Sequence, residues 1–234
     1  MSKKYIYFIG KSLRKALENP IRNQCDIIKL LLTTIQNLCT PNSEVNTVVR
    51  TDETLKDVFV IVKPNQPNEK IQRIFFYNNY PDYNGKTMYT IQSFSFPFKI
   101  EIDKEIKLNY TISNYNLELD AYYISKITTI INLIDTEEQT WGDDWVQEMF
   151  DIIYDEKEPN INQLFYIIND LLTYDFGYLR FDNDPKHEKE NHPRYHFDIH
   201  LDNKTTFKVG INNILNIDQF IKIVDNNSEI KYIT

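Results

Sequence analysis

Glycine is scarce in this chain, with 5 among 234 residues. That excludes collagen-like and glycine-repeat designs, and neither a Gly-x-Gly-x-x-Gly turn nor a Gly-rich Lys-Ser/Thr phosphate loop is present. His-Glu-x-x-His and paired Cys-x-x-Cys spacings are missing too, as is a Gly-x-Ser-x-Gly elbow. Cysteine is limited to Cys25 and Cys39. On one unbroken helix they stand roughly 21 Å apart, too far for a disulfide, so both are expected to be reduced, buried small residues. Positive charge is also short. Lys and Arg number 26 against 34 Asp and Glu, for a net charge of -8, and a protein that coats nucleic acid is normally basic. Long apolar runs are lacking as well. The longest, near Ile27 to Ile35, is broken by Lys29 and two Thr and falls short of the roughly 20 residues that span a bilayer. The start, Lys3-Lys4 before Tyr5 to Ile9, has the charge of a signal peptide, but its apolar run is short and Lys11, Arg14 and Lys15 follow. A cytoplasmic protein with no membrane association is expected, and Asn-x-Thr at Asn109 and Asn203 then carries no glycan.

What is plentiful is apolar and aromatic material, at 41% and 14% of residues. Such a chain can bury a core, so wholesale disorder is excluded. Residues 1–40 read as helical and basic, with a break near Pro20 and a buried helix through Ile27, Ile28, Leu31, Ile35 and Leu38. Residues 46–113 read as an antiparallel meander. It comprises Val58 to Val62, Ile71 to Tyr77, a turn over Tyr80 to Gly85, Met88 to Phe96, and two strictly alternating runs, Phe98 to Ile102 and Ile106 to Ile112, joined at Asp103 to Glu105. Residues 118–173 return to helical spacing, with apolar faces at Ile124, Ile127 and Ile131, at Trp141, Trp145, Met149 and Ile152, and at Leu164, Ile167, Ile168 and Leu171. Between Asp135 and Glu158 ten acidic residues face Lys157 alone. They read as a solvated helix face or as a contact surface for a basic partner, the chain's own first helix included. Aromatics beside Arg73, from Phe75 to Tyr77, can stack bases, but strand packing accounts for them.

The most informative pattern is carboxy-terminal. Tyr178, Arg180 and Asp182 alternate with Leu179 and Phe181. His196, Asp198 and His200 alternate with Phe197, Ile199 and Leu201, and Thr206 and Lys208 with Phe207 and Val209. Successive strand side chains point to opposite faces, so a three-stranded meander has one apolar face and one charged face. A turn at Asp202 to Lys204 joins the last two strands, and an amphipathic helix with Ile217, Phe220, Ile221 and Val224 covers the apolar face. Asp182 to Pro193 is rich in turn residues and its two prolines cannot sit in a central strand, so an ordered loop is expected there. All four histidines (His187, His192, His196, His200) lie within these few residues. The candidate functional cluster is Arg180, Asp182, Asp184, His192, His196, Asp198 and His200. Imidazole and carboxylate on one face can hold a divalent metal, with Asp182, His196 and His200 as the ligand set, or supply an acid and a base. The alternative is a hydrogen-bonded polar face with Arg180 paired to Asp182 or Asp198 and no cofactor.

Arg180 to Pro185, then His192-Pro193-Arg194-Tyr195-His196 to Ile199 and Asp218 to Ile221, resembles an uncharacterised bacterial family. Its signature runs Arg-x-Asp-x-Asp-Pro, a short insert, His-Pro-x-x-His-x-x-Ile and a final Asp-Phe-Ile-like helix. The resemblance covers about fifty residues and implies an accessory protein of mobile-element or phage-defence clusters, with no mechanism attached. The expected fold is α+β in one compact domain, or in two parts, 1–115 and 116–234. The expected function is an accessory or regulatory component that binds a protein partner, with nucleic acid as a second partner class. The alternative is a metal-dependent hydrolase, a nuclease above all, built on the cluster at 182–200. Sequence alone leaves the choice between enzyme and binding module open.

Overall fold

Two periodicities organise the chain, and each element follows the one its residues carry. The computed structural model describes residues 3–39, 58–63, 72–102, 106–110, 117–135, 151, 160–200 and 206–225. In chain order the elements are β1 (Lys3–Phe8), α1 (Lys11–Leu17), α2 (Gln24–Cys39), β2 (Val58–Lys63), β3 (Gln72–Tyr83), β4 (Lys86–Phe96), β5 (Phe98–Ile102), β6 (Ile106–Tyr110), α3 (Ala121–Ile134), α4 (Ile161–Thr173), β7 (Leu179–Asn183), β8 (Tyr195–His200), β9 (Thr206–Gly210) and α5 (Ile217–Val224). This is an α+β fold, and among the described residues no helix is long and apolar enough to cross a membrane. Residues group into two compact units, Met1–Gly10, Asn42–Phe96 and Phe176–Thr234 in the first and Lys11–Pro41 with Pro97–Asp175 in the second. The division therefore does not fall near residue 115. The second unit consists of two insertions, one between β1 and β2 and one between β4 and β7.

The first unit is a seven-stranded antiparallel sheet in the order β1-β2-β3-β4-β7-β8-β9. Residues 1–40 are not helical throughout, because Lys3–Phe8 pairs with β2. The physical reason is two-sided burial: Ile6 and Tyr7 point to opposite faces and are both buried, a task suited to aromatic and β-branched strand residues. The expected central meander divides: β2, β3 and β4 join the carboxy-terminal strands in one sheet where β4 pairs with β7 (Ile91 with Phe181, Thr90 with Asp182), whereas β5 and β6 form a separate two-stranded sheet. The turn expected over Tyr80 to Gly85 shrinks to Asn84-Gly85, whose φ angles of 51° and 71° suit a two-residue hairpin turn. Pro81 is accommodated inside β3, at a register shift between Tyr80 and Tyr83 where a missing N–H is tolerated.

One sheet face packs on α5. Phe220 stacks on Phe197 at 5.7 Å and meets Phe75 edge-on at 6.0 Å. A reciprocal cap starts α5: Asn216 Oδ1 accepts from the Gln219 N–H at 2.9 Å and Gln219 Oε1 from the Asn216 N–H at 2.8 Å. The Tyr89 hydroxyl donates to the Leu215 carbonyl, fixing the entry to the helix. The opposite face bears a row of rings, Tyr7–Phe59–Phe76–Phe94–Tyr178, with centroids 5.1, 5.9, 6.1 and 4.7 Å apart. Ile74, Phe75 and Phe76 are wholly buried, so the aromatics after Arg73 are core and not a stacking platform.

In the second unit α2 packs against α1, α3 and α4, and β5 pairs with β6 as the alternation required. The Asp120 carboxylate caps α3 by accepting from the Tyr123 N–H at 3.0 Å. Asp135, the first residue of the acidic tract, pairs with Lys29 at 2.7 Å and accepts from Asn23 at 2.9 Å, both near or on α2. Of the rest of the tract only Asp151 is described, and it is exposed. The face of Trp141, Trp145, Met149 and Ile152 and the turns at Asp103 to Glu105 and Asp202 to Lys204 lie outside the described residues. Cys25 is buried as expected, whereas Cys39, at the end of α2, is exposed.

Candidate functional site

The charged face predicted from alternation forms at the β9 end of the sheet. Register places Arg180 opposite Asp198, Asp182 opposite His196, and Lys208 opposite Asp198. All these side chains therefore leave the sheet on the face away from α5. Asp182, His196 and Asp198 are buried, at 5%, 0% and 4% exposure. Arg180 and Lys208 are the cluster's route to water, with about a quarter and a third of their side chains exposed.

Arg180 bridges both carboxylates. Its Nε donates to Asp182 Oδ2 at 3.0 Å, and its terminal nitrogen donates to Asp198 Oδ2 and forms an ion pair with Asp182 Oδ2 at 2.9 Å. Lys208 Nζ donates to Asp198 Oδ1 at 2.6 Å and to His196 Nε2 at 2.9 Å. Because an ammonium has no acceptor, Nε2 must accept, and the ring proton resides on Nδ1, which donates to the Pro193 carbonyl at 2.7 Å. Nε2 also lies 3.3 Å from Asp182 Oδ2 and 3.7 Å from Asp198 Oδ1. Burial alone would raise the Asp198 pKa. The Lys208 hydrogen bond and the positive charge of Arg180 outweigh it and hold the carboxyl below its usual range. Arg180 is likewise pushed up despite burial, by Asp182 first and then by Tyr178 and Asp198.

The loop between β7 and β8 is ordered and buttresses the cluster from above. Asp184 does not join the cluster. β7 ends at Asn183, and Asp184 Oδ1 turns to accept the N–H groups of Lys186 and His187, each at 3.1 Å. His187 Nδ1 pairs with Asp184 Oδ2 at 2.9 Å. Burial would raise the Asp184 pKa, but its bonds with His187 lower it. His192 stands beside the cluster, its ring 4.6 Å from that of His196, and burial followed by the charges of Lys208 and His196 pushes its pKa down. His200 ends β8 in register with Thr206, and its side chain is outside the described residues.

Two contributors escaped the sequence-derived candidate set. Lys208 was placed on the right face by alternation but bears no motif of its own. Gly210 is needed for close approach: a Cβ there would lie 2.8 Å from Pro193 Cγ, the residue whose carbonyl fixes His196. With one imidazole, two carboxylates, a guanidinium and an ammonium in contact, the arrangement can clamp β7, β8 and β9 together or accept a cation. Comparison of the chain with protein-family models, with curated proteins and with solved structures found no match in any of the three.

Proposed function

We propose that the protein is an accessory binding component whose contact element is the outer edge of β9, and whose partner is a basic protein that adds an extended strand there. The observation that supports this reading is an open edge flanked by exposed apolar side chains. Among the described residues β9 pairs only with β8. The Ile211 N–H donates to the Tyr195 carbonyl at 3.0 Å. By the alternation of an antiparallel ladder, Phe207 and Val209 bond to β8 while the backbone groups of Lys208 and Gly210 face outward. Phe207 is 45% exposed, Val209 38% and Ile214 47%. An edge strand that offers main-chain donors and acceptors beside alternating apolar side chains is the template for strand addition.

The ion cluster supports binding over catalysis, because its cations are paired with its carboxylates and it locks the edge strand to its neighbours. The net charge of -8 favours a basic partner and speeds its encounter at low salt. The setting in a prokaryotic defence or mobile-element cluster rests on the resemblance of the segment from Arg180 to Ile221. The test is side-by-side purification, from the native host, of the full chain and of a Phe207→Glu, Val209→Glu variant, then reconstitution with the purified partner. The reading expects one stoichiometric basic protein, bound by the parent and lost from a variant with unchanged circular dichroism. Undiminished binding to the variant, or no stoichiometric partner, overturns it.

A further inference from the structure

We infer that Asp182, His196 and Asp198 form a divalent-cation site in which the Lys208 ammonium is the resident cation that a metal displaces. One ligand atom from each of the three residues lies within 4.8 Å of the others, and all three residues are buried. This goes beyond partner binding at β9, since it concerns the opposite face of the sheet and another class of ligand.

Four features point to a cation. First, the Pro193 carbonyl holds the His196 Nδ1 proton and leaves the Nε2 lone pair directed at the carboxylates. A carbonyl on the far nitrogen is the device that orients metal-binding histidines. Second, three electron-rich atoms, Nε2, Asp182 Oδ2 and Asp198 Oδ1, converge, and such atoms approach one another only around a positive charge. Lys208 Nζ supplies that charge at Nε2 and Asp198 Oδ1, at 2.9 and 2.6 Å. Third, Asp182 Oδ1 is buried and has no hydrogen-bond partner among the described residues. A buried carboxylate oxygen in that condition has capacity for a further partner, because an unpaired buried polar atom is costly. Fourth, the spacing fits. Ligands held about 2.1 Å from a tetrahedral metal stand about 3.4 Å from one another, and Nε2 lies 3.3 and 3.7 Å from the two carboxylate oxygens.

One imidazole with two carboxylates suits Zn²⁺ or Mn²⁺, whereas Mg²⁺ and Ca²⁺ prefer an all-oxygen shell. Lys208 can leave, because a third of its side chain is already in water and its four-carbon stem is flexible. The ammonium offsets the same carboxylates that a metal requires. The Asp184–His187 pair, with its imidazole exposed and its carboxylate half-buried, is a separate donor set on the loop.

The experiment is calorimetric titration of the full-length chain with ZnCl₂ and with MnCl₂ alone, with thermal unfolding measured in parallel. One equivalent should bind. Asp182→Asn should weaken binding at least 100-fold, and His187→Ala should leave it within about twofold. Lys208→Met removes the competitor and should tighten binding at least tenfold. Its unfolding temperature should also rise more on metal addition than that of the parent. The Lys208 variant keeps the test decisive even where Asp182→Asn folds poorly. Absence of binding at millimolar metal overturns the site, as does binding lost in His187→Ala but kept in Asp182→Asn. Binding that Lys208→Met does not strengthen overturns the displacement.

Discussion

Replacing Asp198 by Ala is the sharpest probe of what holds the β9 end of the sheet. Asp198 is 4% exposed, and its carboxylate accepts from Lys208 at 2.6 Å and from Arg180, while His196 Nε2 sits 3.7 Å away. Its removal leaves two cations facing each other across a gap, with one carboxylate, that of Asp182, between them. Deleting one member of a buried ion pair costs about 3–5 kcal/mol. Here both cations are partly in water, at 26% and 32% side-chain exposure. Solvent screening then brings the expected loss to about 2–4 kcal/mol. At roughly 2–4 °C per kcal/mol for a chain of this size, the midpoint should fall by about 4–16 °C. Urea unfolding followed by circular dichroism should show a lower midpoint with an unchanged slope. The internal control is Asp218→Ala, which breaks the exposed Lys4–Asp218 pair (2.8 Å, with 36% and 60% side-chain exposure) and should cost under about 1 kcal/mol. Adding Lys208→Met to Asp198→Ala should recover part of the loss, with a coupling of about 1–3 kcal/mol. If Asp198→Ala costs no more than Asp218→Ala, the cluster does not clamp the strands.

Stability should fall in acid by two routes. Asp198, Asp184 and Asp135 have lowered folded pKa values, so their contribution is complete above the unfolded value of about 3.9 and is lost as pH drops through the folded values. His192, also lowered in the folded chain, adds a decline that begins as pH falls below about 6.5, where the unfolded state takes up the proton first. His192→Asn should flatten the stability profile between about pH 5 and 7 without altering the steeper acid limb. Gly210→Ala drives a methyl to 2.8 Å from Pro193 Cγ and should cost about 1–3 kcal/mol, with faster amide exchange in β9 relative to β3. Iodoacetamide near pH 8 should label exposed Cys39 first. Cys25, its thiol pushed up to about 11 by burial and then by Asp135, should react only after denaturation.

Much of the fold was legible because period two and period 3.6 are local signals. The alternation of residues 178–182, 196–201 and 206–209 was enough to sort Arg180, Asp182, His196, Asp198 and Lys208 onto one face, and register then brought them into contact. Four things were not local. The β4–β7 pairing joins strands separated in sequence by β5, β6, α3 and α4, and no periodicity within either strand reports it. The Lys3–Phe8 strand was hidden by the basic residues around it, which read as continuous with α1. Asp184 shares the parity of Arg180 and Asp182 but lies beyond the last paired residue of β7, so its carboxylate serves the turn and not the face. Gly210 could not be singled out at all, since the need for glycine arises from Pro193, which folding brings beneath it.

The order of strands along the chain divides the charges of the ion cluster between a hairpin and the edge strand. When β7 and β8 pair, they bring together Arg180, Asp182, His196 and Asp198, one positive charge against two negative ones, so the hairpin has a net charge of -1 on that face. Lys208 arrives with β9, the last described strand in sequence, and only its docking brings the face to neutrality. If β9 docks onto a preformed β7–β8 hairpin, it is drawn in by attraction as well as by its apolar residues, after the other strands have paired. Interactions formed after the main barrier slow unfolding more than they speed folding. Lys208 should therefore act as a latch on the lifetime of the completed sheet and leave the rate at which the sheet first assembles almost unchanged.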